Sequence, residues 1–465
     1  MAEYDMIVIG GGPGGYVCAI RAAQLGLKVA VVEKQWLGGV CLNVGCIPSK
    51  SLLKNAELAH TLREKAKDFG ISFDNLTLDF GAAVKRSRQV SDRLTKGVAF
   101  LMKKNNIDVI MGSGQISAPG EVKVSGADGK SQTLKAKNIV LATGVNTFVP
   151  PAWKVDGKRV ITYLEAILQP ELPKSVVIIG AGAIGLEFAT IWSAYGTQVT
   201  LVEMLPNIAP TEDEDISAEL AKAFSKRGIT VLAGHKVESV TADADGVTVK
   251  VTAGGEEKTL HAEQALAAIG FKANTAGLGL EGIGVKLDQR GFIEIDEHMA
   301  TTVPGVWAIG DVTGKLMLAH VASTMGMRCA EAIAGQKPPA IDYRMVPRAT
   351  FCQPQVASFG YTEAQARAAG YEVKIAKFPF QGVGKAIAMG DYSGFVKLVT
   401  DAKYGEILGA HLIGAEVSEL LPELTLAHAM ELTAEEVAHN IHIHPTLGEA
   451  VMEAAEGVEG KSIHV

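Results

Sequence analysis

The chain builds one supersecondary unit twice. Each copy has a short apolar strand, a G-x-G-x-x-G turn, a helical stretch ended by glycine, a second apolar strand and an acid. In the first copy Ile7-Val8-Ile9 leads into Gly10, Gly12 and Gly15. A helix over 16–25 stops at Gly26, and the strand over 29–32 ends at Glu33. In the second, the strand over 176–179 leads into Gly180, Gly182 and Gly185. The helix stops at Gly196, and the strand over 199–202 ends at Glu203. Both acids fall 23 residues after the first glycine of their copy. One such run can be a plain strand-to-helix turn. Two in matched register, each with its acid, require an α/β chain with two parallel, doubly wound sheets.

That pattern has a ligand chemistry. The first glycine permits the tight turn, the second lets backbone N–H groups approach a pyrophosphate, and the third lets helix and strand pack closely. The helix N-terminus adds partial positive charge. Glu33 and Glu203 are each placed to accept hydrogen bonds from a ribose diol. No arginine follows Glu203 in Met204-Leu205-Pro206-Asn207, which favours NAD over NADP. Both copies close on a further apolar strand ending in glycine: Ile139 to Thr143 and Gly144, then Leu266 to Ile269 and Gly270. Gly10 and Gly144 lie 44 residues further apart than Gly180 and Gly270 (134 against 90). The first copy therefore holds an insertion.

The insertion carries Gly38-Gly39-Val40-Cys41-Leu42-Asn43-Val44-Gly45-Cys46-Ile47-Pro48-Ser49-Lys50. A disulfide needs Cα atoms about 4.4–6.8 Å apart, and residues five apart in a regular helix stand roughly 8–9 Å apart. Cys41 and Cys46 can close only if the backbone departs from a helix between them, which Gly45 permits. Cys46 would then open the next helix, where its thiolate is favoured. The plainer reading, two separate core thiols, suits Cys18, Cys329 and Cys352. Five cysteines in 465 residues make no disulfide scaffold, so a reducing cytoplasm is the expected setting. That means a bacterial cytoplasm, or an organelle matrix after loss of a transit peptide. The net charge of −7 is no footprint of a nucleic-acid binder. No apolar run reaches the ~18 residues of a membrane span, and the start of the chain does not read as a secretory signal.

These residues resemble the pyridine nucleotide–disulfide oxidoreductases of class I over essentially the whole chain. The run around the two cysteines is the most specific part. Ala142-Thr143-Gly144, Val306 to Asp311 before Met317-Leu318-Ala319-His320, and His442-Ile443-His444-Pro445-Thr446 agree with it. The resemblance implies four parts: an FAD-binding domain over 1–150 with the inserted cysteine helix, an NAD-binding domain over 151–275, a central domain over 276–346 completing the FAD site, and an α+β dimerisation domain over 347–465. It implies FAD contacts at Gly10, Gly12, Gly15, Glu33, Lys50, Gly114, Thr143, Gly144, Asp311, Met317, Leu318 and Ala319. The implied NAD contacts are Gly180, Gly182, Gly185, Glu187, Glu203, Val237 and Gly270, with Lys50 paired to Glu187. The expected reaction is oxidation of protein-bound dihydrolipoamide with reduction of NAD+, through a redox disulfide of Cys41 and Cys46. The expected partners are a second copy of the chain and a lipoyl-bearing E2 acyltransferase or glycine-cleavage H protein. One stretch departs: Phe271-Lys272-Ala273-Asn274 stands where the family commonly has Arg-x-Pro-Asn.

Moving protons on and off thiols suits a histidine, with an unperturbed pKa near 6.5, and an acid to orient it. The resemblance gives these roles to His444 and Glu449, acting on the opposite subunit's site. Thr446 and Glu449 also have the spacing of a capping box, and His442 reads as structural or as a support for the catalytic pair. Lys85, Arg86, Arg88, Arg93 and Lys96 read as the solvated face of an amphipathic helix. Glu212 to Asp215 reads as an acidic helix start.

Overall fold

The computed structural model describes residues 3–465. By contacts the chain divides into two units. One comprises Met1–Ser51, Gly81–Phe148 and Gly270–Tyr343; the other comprises Leu52–Phe80, Val149–Ile269 and Arg344–Val465.

The first unit is built on the strand Tyr4–Ile9. It pairs in parallel with Val29–Glu33 on one side and with the second half of the long strand Ser131–Leu141 on the other. Asp108–Met111 extends one side of the sheet and Val306–Ala308 the other, both in parallel. The central strands read as continuous apolar runs because both faces are covered. Ile7, Val8, Ala30, Val31, Ile139 and Val140 are fully buried. The first half of Ser131–Leu141 leaves this sheet to pair antiparallel with Glu121–Ser125, which pairs with Ser113–Ala118.

The second unit repeats the parallel order with Ser175–Ile179 at its centre. Gln198–Val202 and Thr230–Leu232 lie on one side; Gln264–Ala267 and Val160–Ile161 lie on the other. The duplication holds to atomic detail. Gly10 and Gly180 have φ of 109° and 104°. A Cβ on Gly10 would stand 2.3 Å from the Ala142 carbonyl oxygen, and one on Gly180 2.4 Å from that of Ala268. A Cβ on Gly15 or Gly185 would stand 1.9 Å from the carbonyl oxygen of Gly10 or Gly180. Only hydrogen fits at these four positions.

The extra length of the first copy lies between its second and third strands. Three helices fill that crossover, Gly39–Val44, Cys46–His60 and Phe80–Lys104. The second copy uses one, Glu214–Lys226. The second unit also contains an antiparallel five-stranded sheet, in the order Arg348–Thr350, Gln355–Gly360, Ile407–Gly414, Phe395–Asp401, Val373–Pro379. Helices Val417–Ala429 and Glu449–Gly457 contribute to its core through Leu421, Leu424, Val451 and Ala454.

Candidate active site

The backbone breaks between the two cysteines. Cys41 lies in the helix Gly39–Val44; Gly45 ends it with φ −132° and ψ −116°, and Cys46 is the first residue of the helix that follows. A Cβ on Gly45 would stand 3.0 Å from the Val40 carbonyl oxygen and 3.3 Å from the Cys41 Cα. These are backbone atoms that cannot swing aside, so glycine is what lets the chain fold back here. Across the break the Cys41 thiol hydrogen-bonds to Cys46. That hydrogen bond, then burial, push the Cys41 thiol well up, while the Lys50 ammonium acts the other way. Behind the break, Asn43 Nδ2 donates to the carbonyls of Leu37 and Gly39 at 3.1 and 2.8 Å, and Ser49 Oγ donates to the Cys46 carbonyl at 2.9 Å.

Each dinucleotide acid closes its own glycine turn. Glu33 Oε2 accepts from the Gly11 N–H at 2.7 Å, and its Oε1 accepts from Gln35 and Trp36 at 2.7 and 3.1 Å. Glu203 Oε2 accepts from the Ala181 N–H at 2.8 Å and its Oε1 from Leu205 at 2.9 Å. Both carboxylates thus stand at the glycine turns, beside the N-termini of the helices Pro13–Gln24 and Ala183–Tyr195.

Asp311 lies in a 3-10 turn, Gly310–Thr313, directly after the edge strand. Burial alone pushes its carboxyl up to about 6, with no cation or hydrogen bond offsetting it. A sheltered acceptor of this kind fits a polyol chain. Met317 and Leu318 run into the helix Ala319–Ile333, which Ala319 opens. Gly114 lies where the outer sheet passes over the first: a Cβ there would press on Ile9 and Val32 at 3.1 and 3.2 Å. Glu187 is buried and accepts from the Phe351 N–H at 3.1 Å. Val237 packs at the edge of the core of the second parallel sheet.

The departing stretch has a defined place. Phe271–Ala273 is a strand antiparallel to Val145–Thr147. Asn274 Nδ2 donates to the Thr143 carbonyl at 2.9 Å, Thr143 Oγ1 donates to the Asn274 carbonyl at 2.8 Å, and the Asn274 N–H reaches Gly144 at 3.0 Å. The asparagine that this chain shares with the family pattern therefore holds the segment carrying Thr143 and Gly144. Gly270 accepts from the Phe148 N–H at 2.9 Å beside it.

Near the C-terminus, His444 Nδ1 and Glu449 Oε1 are 2.8 Å apart. The imidazole is 77% exposed. The capping box is only half made. Glu449 Oε2 accepts from the Thr446 N–H at 2.9 Å, but Thr446 Oγ1 donates to the Ile443 carbonyl instead of accepting from the helix. Glu449 itself starts the helix after Gly448, so its second oxygen is left to orient His444. Burial pushes the Glu449 carboxyl up, but the hydrogen bonds from His444 and Thr446 outweigh it and hold the group below the usual carboxylate range. His442 is tied down, 3.0 Å from Glu423 Oε2 and 2.9 Å from the Asn440 carbonyl.

One reading needs correction and one needs extension. The basic helix is not only a solvated face: Arg86 donates to Ser51 Oγ at 2.8 Å, and the Arg88 Nε is buried. The acidic start at Glu212 to Asp215 does cap its helix through Asp213. Its larger role was invisible in sequence. Asp213 and Asp215 lie 2.9 and 2.8 Å from the Nζ of Lys397, whose side chain is 3% exposed, with Glu363 at 3.1 Å.

Two matched glycine turns, their acids and a cysteine pair across a broken helix define a flavin- and nicotinamide-linked disulfide oxidoreductase. The family model for pyridine nucleotide-disulphide oxidoreductases matches residues 4–326, and that for the dimerisation domain of the same family matches 346–455. The chain is 54% identical to a dihydrolipoyl dehydrogenase of Mycobacterium leprae, with all of both chains covered. It is 49% identical to one of Corynebacterium glutamicum over 99% of each. Among solved structures, LpdA from Mycobacterium tuberculosis superposes with a TM-score of 0.91 at 28% identity, covering 97% of this chain and 99% of that one. The chain belongs to the pyridine nucleotide–disulphide oxidoreductase family, in its dihydrolipoyl dehydrogenase branch. Its cofactors are FAD and NAD, and it is a homodimer. Ile441 and Ile443, 93% and 78% exposed in the single chain, suit an assembled face. Among the described residues no helix is long and apolar enough to cross a membrane, and no cluster of His, Cys, Asp or Glu could hold a metal ion.

Proposed function

We propose that the chain oxidises protein-bound dihydrolipoamide to lipoamide and reduces NAD+, serving 2-oxoacid dehydrogenase or glycine-cleavage complexes as their E3 component. The carrying observation is the hydrogen-bonded cysteine pair across the Gly45 break. In the oxidised site one substrate thiolate attacks the Cys41 sulfur. The S–S bond breaks and Cys46 leaves as thiolate. His444 takes the substrate proton, held in orientation by Glu449. The second substrate thiolate attacks the substrate sulfur bound to Cys41. Lipoamide leaves as a disulfide, and both cysteines are left reduced, having taken up two electrons. Cys46, at a helix start, is the thiolate that the fold favours. FAD, when bound, supplies the chemistry that links thiol exchange to hydride transfer to NAD+.

The site roles follow the same assignment. Gly10, Gly12, Gly15, Glu33, Lys50, Gly114, Thr143, Gly144, Asp311 and the 317–319 turn serve FAD. Gly180, Gly182, Gly185, Glu187, Glu203, Val237 and Gly270 serve NAD. The four-part division at 150, 275 and 346 is the matching domain map. The test is a steady-state assay of the purified protein. Dihydrolipoamide with NAD+ is expected to turn over, and glutathione disulfide with NADPH is not. Preference for the second pair would overturn the assignment.

Asp311 gives a pH signature. A ribityl hydroxyl would donate to the ionised carboxylate, so FAD would favour the deprotonated form. With the free carboxyl at about 6, acid below that value protonates it and competes with FAD. Affinity is expected to be roughly tenfold weaker at pH 5 than at pH 7. Asp311→Asn should flatten the profile, as read by recovery of flavin fluorescence on release. An unchanged profile in Asp311→Asn would place the titration elsewhere.

A further inference from the structure

The helix that begins at Cys46 ends in a departure from α geometry. It runs to His60, widens into a π turn over Thr61–Lys65 and tightens into a 3-10 turn over Ala66–Phe69. Such π turns are frequent at functional sites. This one carries Arg63, whose Nη1 donates to the Ala194 carbonyl at 3.1 Å. That carbonyl is one residue from the end of the helix Ala183–Tyr195.

Beside Arg63 lies a cavity of about 470 Å³, walled in part by His60, Glu64, Lys226 and Arg227. The volume suits a small-molecule site, but the wall is charged and unbalanced. On the wall Arg63, Lys226 and Arg227 face one acid, Glu64, which lies 4.0 Å from Arg63; the Asp391 carboxylate also acts on Arg227 from outside the wall. Arg227 Nη1 donates to a neutral partner, Gln353 Oε1, at 3.3 Å. Its Nη2 is buried with no hydrogen-bond partner among the described residues. A guanidinium with one arm desolvated and unmet is costly, and an anion in the cavity that Arg227 lines would offset its charge. His60 registers the same field. Burial, then the positive charges of Arg227, Lys65 and Arg63, pull its pKa down to about 4.

We propose that this cavity is an anion site for a small phosphate-bearing metabolite, held by Arg227, Lys226 and His60. The donors come from two helix ends, the close of Cys46–His60 and the close of Glu214–Lys226. Donors from separate elements suit a tetrahedral phosphate, which offers oxygens in several directions, over a planar carboxylate that one arginine fork can satisfy. Occupancy would fasten those two helix ends together. The site is independent of the redox assignment.

Inorganic pyrophosphate is the probe, titrated calorimetrically into the FAD-loaded dimer at constant ionic strength. Saturating NAD+ occupies the second glycine turn. One pyrophosphate per chain is expected to bind. Arg227→Gln and Lys226→Gln should each weaken it roughly tenfold or more. Lys226 is exposed, so its variant tests the site even if Arg227→Gln folds poorly. The His60 ring resonance should titrate at higher pH when pyrophosphate is present, because the anion favours imidazolium. Absence of saturable heat up to about 1 mM, or equal affinity in wild type and both variants, would overturn the site. Citrate binding as tightly as pyrophosphate would overturn the phosphate assignment.

Discussion

Cys46→Ser is expected to keep FAD and to lose NAD-linked dihydrolipoamide oxidation by roughly a thousandfold or more. The reason is bond chemistry. The reaction requires Cys41 and Cys46 to alternate between a disulfide and a dithiol, and a hydroxyl cannot form the S–S bond that the substrate thiolate must attack. Folding should survive, because position 46 opens a helix and serine is nearly isosteric with cysteine. The neighbouring supports are also untouched: Ser49 bonds the backbone carbonyl of residue 46, and Asn43 bonds Leu37 and Gly39. Flavin absorbance should therefore remain while turnover is lost. Cys41→Ser should be equally inactive yet differ in spectrum, because it leaves the Cys46 thiolate in place at the helix N-terminus. Residual turnover of Cys46→Ser within tenfold of wild type would end the disulfide relay, whatever the fate of the other assignments.

The parts of this site that depend on backbone chemistry were readable in the sequence. Gly10 and Gly180, Gly15 and Gly185, Glu33 and Glu203 recur at fixed spacing because each meets a local constraint, a tight turn, a close strand or a neighbouring N–H. Gly45 was readable for the same reason, since five residues of regular helix cannot bring two sulfurs together. Parts that depend on distant chain segments were not. Nothing local to Lys397 tells that Asp213, Asp215 and Glu363 converge on it, because the partners stand 34 to 184 residues away and share no period with it. Cys18 and Cys329 read as separate core thiols and are indeed buried, but they hydrogen-bond to one another. Their helices, Pro13–Gln24 and Ala319–Ile333, pack too closely for a side chain at Gly326, where a Cβ would stand 2.5 Å from the Gly14 carbonyl oxygen. The Thr446–Glu449 spacing was half informative. It has the form of a cap, but the cap is incomplete, and the incomplete half leaves a carboxylate oxygen available to His444.

His444→Gln is expected to cut turnover by roughly 10²–10⁴ while leaving FAD content and NAD+ affinity near wild type. Glutamine cannot accept and return a proton, so each substrate thiol must ionise without help. The ring is 77% exposed, so its removal should cost little stability. Glu449→Gln is the sharper probe. Glu449 touches the imidazole, not the thiols, so it acts through the tautomer and charge of His444. In Glu449→Gln the ring loses its carboxylate partner at 2.8 Å, so turnover should fall while FAD content and NAD+ affinity stay near wild type. The sign for stability can be worked out separately. The Glu449 carboxyl sits below its ordinary value in the folded chain. Its stabilisation is therefore present above the unfolded pKa and lost as pH falls through the folded one, and Glu449→Gln should remove that acid-side dependence. The double variant His444→Gln/Glu449→Gln decides between a dyad and two separate contributions. If Glu449 works through His444, the double variant should be no slower than His444→Gln alone, because the second change has nothing left to orient. Losses that multiply would assign Glu449 a role of its own.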